Sequence, residues 1–288
     1  MSELPIQAAF HPATIRQGLT FEELTHVAHK AGFHHTAFGI TGAMEYDSVN
    51  GPGAALRLFN RLGLVPSGWG GSPNIILPPN EFEAGLLGFH GLCTYAANFE
   101  LESVLGIMVF MPNRWPIPEQ DAFDRVVTNF KSLTEVAAEY EINISIEFCG
   151  PNLMPDEPFP FITGVSGAMS IVNAVGKDNL GVLVDSYHLY CAGEVPSDID
   201  RLATGRVFAA HINDSPPGDY TKFTDVERVM PGDGIIPLVD FIKHLAQADF
   251  TGPIACELFN PEIRLRDPIE VARESRLKTE AIITEALS

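Results

Sequence analysis

Short β-branched and apolar runs recur along this chain, and each gives way to a loop and then to a longer stretch with helical spacing. That alternation marks repeated strand–helix units around a parallel sheet. Eight units are legible, with predicted strands at Ile6–Phe10, Thr36–Ile40, Leu64–Gly68, Val104–Phe110, Ile142–Phe148, Gly181–Asp185, Val207–Ile212 and Pro253–Leu258. Eight parallel strands most simply close into a barrel, and 288 residues suit one, since a (β/α)8 barrel takes about 250. No Gly/Ser linker, charge run or shift in composition divides the chain, so residues 1–288 read as one α/β domain.

The punctuation agrees with the period. Thr20 precedes Phe21-Glu22-Glu23 as a cap followed by first-turn acids, and Asp267-Pro268 opens the last helix in the same way. Between Asp121 and Tyr140, Phe123, Val126, Val127, Phe130, Leu133 and Val136 recur at helical spacing. The stretch from Gly70 to Ser103, with Pro73, Pro78 and Pro79 ahead of a mixed pattern, is compatible with one helix or two. Pro231-Gly232-Asp233-Gly234 reads as a turn before a helix beginning near Ile236.

Charge narrows the partners. The sequence carries 37 Asp and Glu against 18 Lys and Arg, a net charge of −19, with the basic residues scattered. Such a field repels a phosphate backbone, so the expected partner is a small neutral molecule and not nucleic acid. Cys93, Cys149, Cys191 and Cys256 lie far apart with no C-x-x-C pair, which suggests neither a disulfide framework nor a thiolate zinc site. The opening MSELPIQAAF lacks the positive start of a secretory leader, and no apolar run approaches the ~18 residues of a membrane span. The expectation is a soluble, cytoplasmic protein with no membrane partner.

In a parallel barrel, chemistry gathers at the carboxyl ends of the strands. Four consecutive predicted strands end in suitable residues: Ile144-Ser145-Ile146-Glu147, Gly181-Val182-Leu183-Val184-Asp185, Phe208-Ala209-Ala210-His211 and Pro253-Ile254-Ala255-Cys256-Glu257. Three carboxylates in a partly dry mouth repel one another unless a cation neutralises them, and one divalent metal ion does so. Three oxygen ligands and one nitrogen favour Mn²⁺ first, with Mg²⁺ or Co²⁺ possible, over a structural zinc. Singly, each residue reads equally well as a polar strand end that caps a helix or pairs with a lysine; their joint placement carries the inference.

These residues give the chain a resemblance to a known family. Ser145-Ile146-Glu147, Val184-Asp185-Ser186-Tyr187-His188, Ala210-His211-Ile212-Asn213-Asp214, Arg228-Val229-Met230-Pro231-Gly232-Asp233-Gly234 and Cys256-Glu257-Leu258, in that order, are similar to motifs of the xylose isomerase-like TIM barrels. That superfamily of sugar isomerases and epimerases includes inosose isomerases, ketose 3-epimerases, dehydratases and endonuclease-IV-type enzymes. The resemblance covers nearly the whole chain and is nearest to the inosose isomerase type. It implies a single (β/α)8 TIM barrel with one divalent ion held by Glu147, Asp185, His211 and Glu257. It also implies that His188 binds substrate or shuttles protons, and that Arg228 contacts a substrate oxygen. The plain alternatives are a histidine packed under a loop and an arginine in a surface salt bridge.

Other conspicuous residues carry less. Trp69 after strand three and Trp115 after strand four fall on the same rim, where aromatic side chains wall sugars or simply pack loops. His11 follows strand one and can reach the mouth, but has no partner in sequence. His34 and His35 sit at the amino end of strand two, the stability face of a barrel, and read as structural. Cys149 and Cys256 adjoin expected ligands without a cationic neighbour to stabilise a thiolate, and strand alternation turns Cys256 away from Glu257.

The implied reaction is isomerisation or epimerisation of a ketose or keto-cyclitol of the inosose type. The ion polarises a carbonyl and stabilises an enediolate, while Glu147 and Glu257 remove and return the proton from opposite faces. The same enediolate can expel a β-leaving group, so a lyase or dehydratase acting on a keto-sugar, keto-cyclitol or 3-keto-glycoside is the near alternative. Ketose 3-epimerases carry an arginine shortly after the histidine ligand, where this chain reads His211-Ile212-Asn213-Asp214-Ser215-Pro216-Pro217; that departure points away from simple ketohexose epimerisation. The endonuclease-IV branch needs histidines after strands three and four, where Ser67-Gly68-Trp69 and Phe110-Met111-Pro112 stand instead. A non-catalytic barrel subunit is the third class. Outer helices of such barrels commonly pack between subunits, so a homo-oligomer is expected.

Overall fold

A computed structural model of the chain describes residues 5–99, 107–151, 153 and 156–288. Eight parallel strands run in chain order around a closed barrel: β1 Gln7–Phe10, β2 His35–Gly39, β3 Val65–Gly70, β4 Ile107–Met111, β5 Ile144–Phe148, β6 Leu180–Asp185, β7 Val207–His211 and β8 Pro253–Ala255. The first strand pairs with both the second and the eighth, which closes the ring. Of the expected fourth strand, positions 104–106 lie outside the described residues. The eighth is shorter than expected, and Glu257 stands two residues beyond its paired end.

Helices form the outer layer, and their ends follow local chemistry. Helix Phe21–Ala31 starts at a capping box in which Thr20 and Glu23 satisfy each other's backbone N–H groups. Asp267 accepts the N–H groups of Ile269 and Glu270 at the head of helix Pro268–Leu287. Among the described residues, the proline-rich stretch after β3 holds one helix, Pro79–Ala96, followed by a 3-10 turn, whereas two helices, Ile40–Asn50 and Ala54–Leu62, fill the gap between β2 and β3; positions 100–103 of the expected stretch lie outside the described residues. A two-residue antiparallel ribbon pairing Arg114–Trp115 with Phe159–Pro160 was not anticipated.

Strand alternation separates two buried environments. On β5, Ile144, Ile146 and Phe148 join the large apolar core beneath the helices, while Ser145 and Glu147 take the opposite face. Inside the barrel, Leu183 and Ala209 form a small apolar cluster at one register level. Two residues further along the same strands, Asp185 and His211 are again paired at one level, so the sheet stacks polar groups on an apolar floor.

The loop after β7 is tied down by one carboxylate. Buried Asp214 accepts the backbone N–H groups of Ser215, Gly232, Gly234 and Ile236, and its backbone pairs with Val229. Gly232 is left-handed at φ 84°, and a Cβ on Gly234 would collide with the Ser215 carbonyl and the Asp214 carboxylate. Asp214 claims the Ile236 N–H and Pro237 caps the next helix, which starts at Leu238, two residues past the expected Ile236.

The two ends of the chain are joined at the β1/β8 seam. Thr14 donates its hydroxyl to the Cys256 carbonyl, Arg264 donates to the Ala13 carbonyl, and Arg276 to that of Ala31. No helix among the described residues is long and apolar enough to cross a membrane.

Candidate functional site

Four ligand-type atoms, one each from Glu147, Asp185, His211 and Glu257, lie within 4.8 Å of one another, and all four residues are buried. Glu147 ends β5 one residue early, Asp185 and His211 are the last residues of β6 and β7, and Glu257 follows β8. His211 Nδ1 faces all three acids, 3.2 Å from Glu147 Oε1, 3.5 Å from Glu257 Oε2 and 3.7 Å from Asp185 Oδ2. Neither His211 Nδ1 nor Glu147 Oε1 makes a directed hydrogen bond, although both are buried. Unsatisfied atoms of this kind are rare in protein interiors.

The supporting contacts explain the arrangement. Asp185 caps the short helix Ser186–Cys191 with Oδ1, which accepts the N–H groups of Tyr187 and His188. Its Oδ2 accepts from Asn213 Nδ2 at 2.8 Å and from Arg228 Nη1 at 2.9 Å. Asn213 also receives the Glu257 N–H on its side-chain oxygen, so one amide fixes two of the four acid and imidazole positions.

Arg228 is fully buried, between the rings of Tyr187 and Phe259, each 5.1 Å from its guanidinium carbon. Its Nη1 donates to Asp185 and Glu257, and its Nη2 to Asp225. It therefore holds the acids in place and is no surface salt bridge. Burial opposes charge on Asp185 and Glu257, but Arg228 beside the first and His211 beside the second hold both carboxyls well below the usual range. The same opposition resolves the other way at His211, whose burial is outweighed by Glu257, Asp185 and Glu147, leaving its pKa well above the ordinary value.

His188 is buried, and its Nε2 accepts from Arg228 Nη2 at 3.1 Å. A guanidinium has no acceptor, so the neutral ring carries its proton on Nδ1, which has no hydrogen-bond partner. Nε2 lies 3.8 Å from Glu147 Oε1. His11, weak in sequence, also reaches the cluster: Nε2 stands 3.6 Å from Glu257 Oε1. Burial lowers its pKa to about 4 against the pull of Glu257, so the ring is neutral at physiological pH.

Donor chemistry, convergence and the two orphaned atoms fit a divalent cation. With His211 neutral as a ligand, three carboxylates and Asp225 outweigh the single charge of Arg228, and a dication offsets most of the remainder. The model of the xylose isomerase-like TIM barrel family matches residues 26–281. The chain belongs to that family.

Among curated relatives of this xylose isomerase-like barrel is an inosose isomerase of Bacillus velezensis, 31% identical over 153 residues. The match covers 53% of this chain and 52% of the relative, so it spans about half the length of each. A xylose isomerase domain protein from Alicyclobacillus acidocaldarius shares the fold, with TM-score 0.89, 24% identity, and coverage of 98% of this chain and 100% of the other. So does the IOLI protein, solved with a bound zinc atom, with TM-score 0.85, 20% identity and coverage of 98% and 100%.

Both tryptophans named from the sequence are buried in this barrel. Trp69 is fully buried and shares its register level with Phe38 and Ile107, within the apolar core. Trp115 is also buried, donates to the Pro112 carbonyl and packs on Phe161. An aromatic residue that is open is Phe110, 43% exposed and paired in register with Glu147, hence on the same face of the sheet. Its mark in the sequence is its place as the last residue of the fourth predicted strand, Val104–Phe110. Cys256 is buried in the core as alternation predicts, and burial pushes its thiol and that of Cys149 far up.

Proposed function

We propose that this protein is a divalent-metal-dependent isomerase or epimerase of a ketose or keto-cyclitol, of the inosose type. The observation that carries the reading is the convergence of Glu147, Asp185, His211 and Glu257 within 4.8 Å. Relatives named as inosose isomerases support the substrate class. The donor set favours Mn²⁺, with Mg²⁺ or Co²⁺ as alternatives. When bound, such an ion supplies Lewis acidity to a carbonyl and its neighbouring hydroxyl.

The chain's own residues do the rest. Glu147 and Glu257 come from strands three steps apart around an eight-stranded ring, so they approach a substrate from different sides. Glu147 Oε1, free of hydrogen bonds, removes the proton next to the carbonyl, and Glu257 delivers one to the other face. Arg228 keeps Glu257 and Asp185 ionised, and His188 braces Arg228 from behind. Phe110 offers an apolar surface at the mouth.

Incubating the Mn²⁺-loaded protein in D₂O with inososes, ketohexoses and 3-keto-glycosides tests the reading. Isomerisation places deuterium in a product of otherwise unchanged composition. Release of water or an aglycone assigns elimination instead, and no uptake with no turnover across the panel refutes the proposal. Glu147→Gln and Glu257→Gln are expected to lower kcat by about 10²–10⁴-fold with circular dichroism unchanged. Chelation should abolish activity, and Mn²⁺ should restore it.

A further inference from the structure

One group at the mouth stands beside the four ligands without being one of them. His11 is the first residue past β1 and precedes the 3-10 turn Pro12–Thr14. The turn brings the Ala13 backbone N–H onto His11 Nδ1 at 3.2 Å. A ring nitrogen that accepts an N–H must offer its lone pair, so the neutral ring carries its own proton on Nε2. Nε2 faces Glu257 Oε1 at 3.6 Å, while the other carboxylate oxygen, Oε2, is held by Arg228 Nη1 at 3.2 Å. The His11 ring also stands edge-on to His211, with centroids 5.1 Å apart, which limits its rotation. A protonated Nε2 has no lone pair for a metal ion.

We infer that His11 is a positioning residue: locked by the Ala13 backbone in its Nε2–H form, it presents that N–H to Glu257 and fixes how the carboxylate is turned. Arg228 and His11 thus face Glu257 from its two oxygens, Arg228 by a hydrogen bond to Oε2 and His11 by a close approach to Oε1. The inference rests on Glu257 being a ligand of a divalent ion and is independent of which sugar is turned over. Pro12 contributes by starting the turn that aims the Ala13 N–H.

The test needs no substrate. In metal-free protein labelled with ¹⁵N-histidine, long-range ¹H–¹⁵N correlation near neutral pH is expected to show a ring protonated on Nε2 and bare on Nδ1, whose signals vanish in His11→Gln. Titration with Mn²⁺ alone is expected to give His11→Ala a dissociation constant roughly 10–100-fold weaker than wild type. His11→Gln, whose amide can donate an N–H in the same direction, should recover most of that loss. A ring protonated on Nδ1, or a folded His11→Ala that binds Mn²⁺ as tightly as wild type, overturns the inference. If His11→Ala fails to fold, the tautomer measurement and the His11→Gln titration decide. A protein that binds Mn²⁺ as described but turns over no sugar refutes the proposed reaction and leaves the role of His11 standing, whereas a wild type that binds no Mn²⁺ refutes both.

Discussion

A guanidinium with no exposure to water is costly to desolvate, and Arg228 meets that cost with Asp185, Glu257 and Asp225 and with two aromatic faces. Removing it leaves two buried carboxylates without their cation. Arg228→Met is therefore expected to destabilise the metal-free protein by about 3–5 kcal/mol, read from urea unfolding. Arg228→Lys should recover only part of this, because an ammonium cannot reach Asp185, Glu257 and Asp225 as a planar fork does. Glu147, Asp185, His211 and Glu257 were legible because each ends an apolar run on a neighbouring strand. The position of Arg228 was not, since nothing in a loop motif shows that acids 43 and 29 residues away fold around its side chain. His11 reads as able to reach the mouth but without a partner for the same reason: Glu257 lies 246 residues further along the chain.

At the level of elements, the loop from Arg228 to Pro237 shows how one side chain replaces a helix or strand as an organiser. Asp214 satisfies four backbone donors that would otherwise be buried without partners or turned to solvent. Asp214→Ala is expected to cost about 3 kcal/mol in chemical unfolding, and to raise amide exchange at Gly232, Gly234 and Ile236 well above wild type. Strands were easier to read than this loop. Their apolar runs stand out against the helical period, and the capping residues Thr20 and Asp267 mark helix starts within a residue. The stretch from Gly70 to Ser103 stayed ambiguous because its prolines break the pattern ahead of a weakly amphipathic helix. The ribbon at Arg114–Trp115 is not legible in the sequence because two paired residues leave no period.

For the molecule as a whole, four cysteines are free and buried within a closed barrel. Burial pushes the thiols of Cys93 and Cys191 up to about 12, so the reactive thiolate is scarce throughout the ordinary working range of pH. An alkylating reagent at mildly alkaline pH is expected to label none of the four in native protein and all four in urea, as counted by mass spectrometry. Labelling of native protein would show that the barrel opens locally around that thiol.

The seam between β1 and β8 has a further effect on when the cluster can exist. Thr14 and Ala13 are bound by Cys256 and Arg264, and His11 meets Glu257 across that same junction. During synthesis the first of these groups leaves the ribosome long before the last is made. Until then the nascent polypeptide has three of the four donors at most, and it cannot capture an ion in the finished geometry. The cluster is thus completed last, by the segment after β8 that carries Glu257.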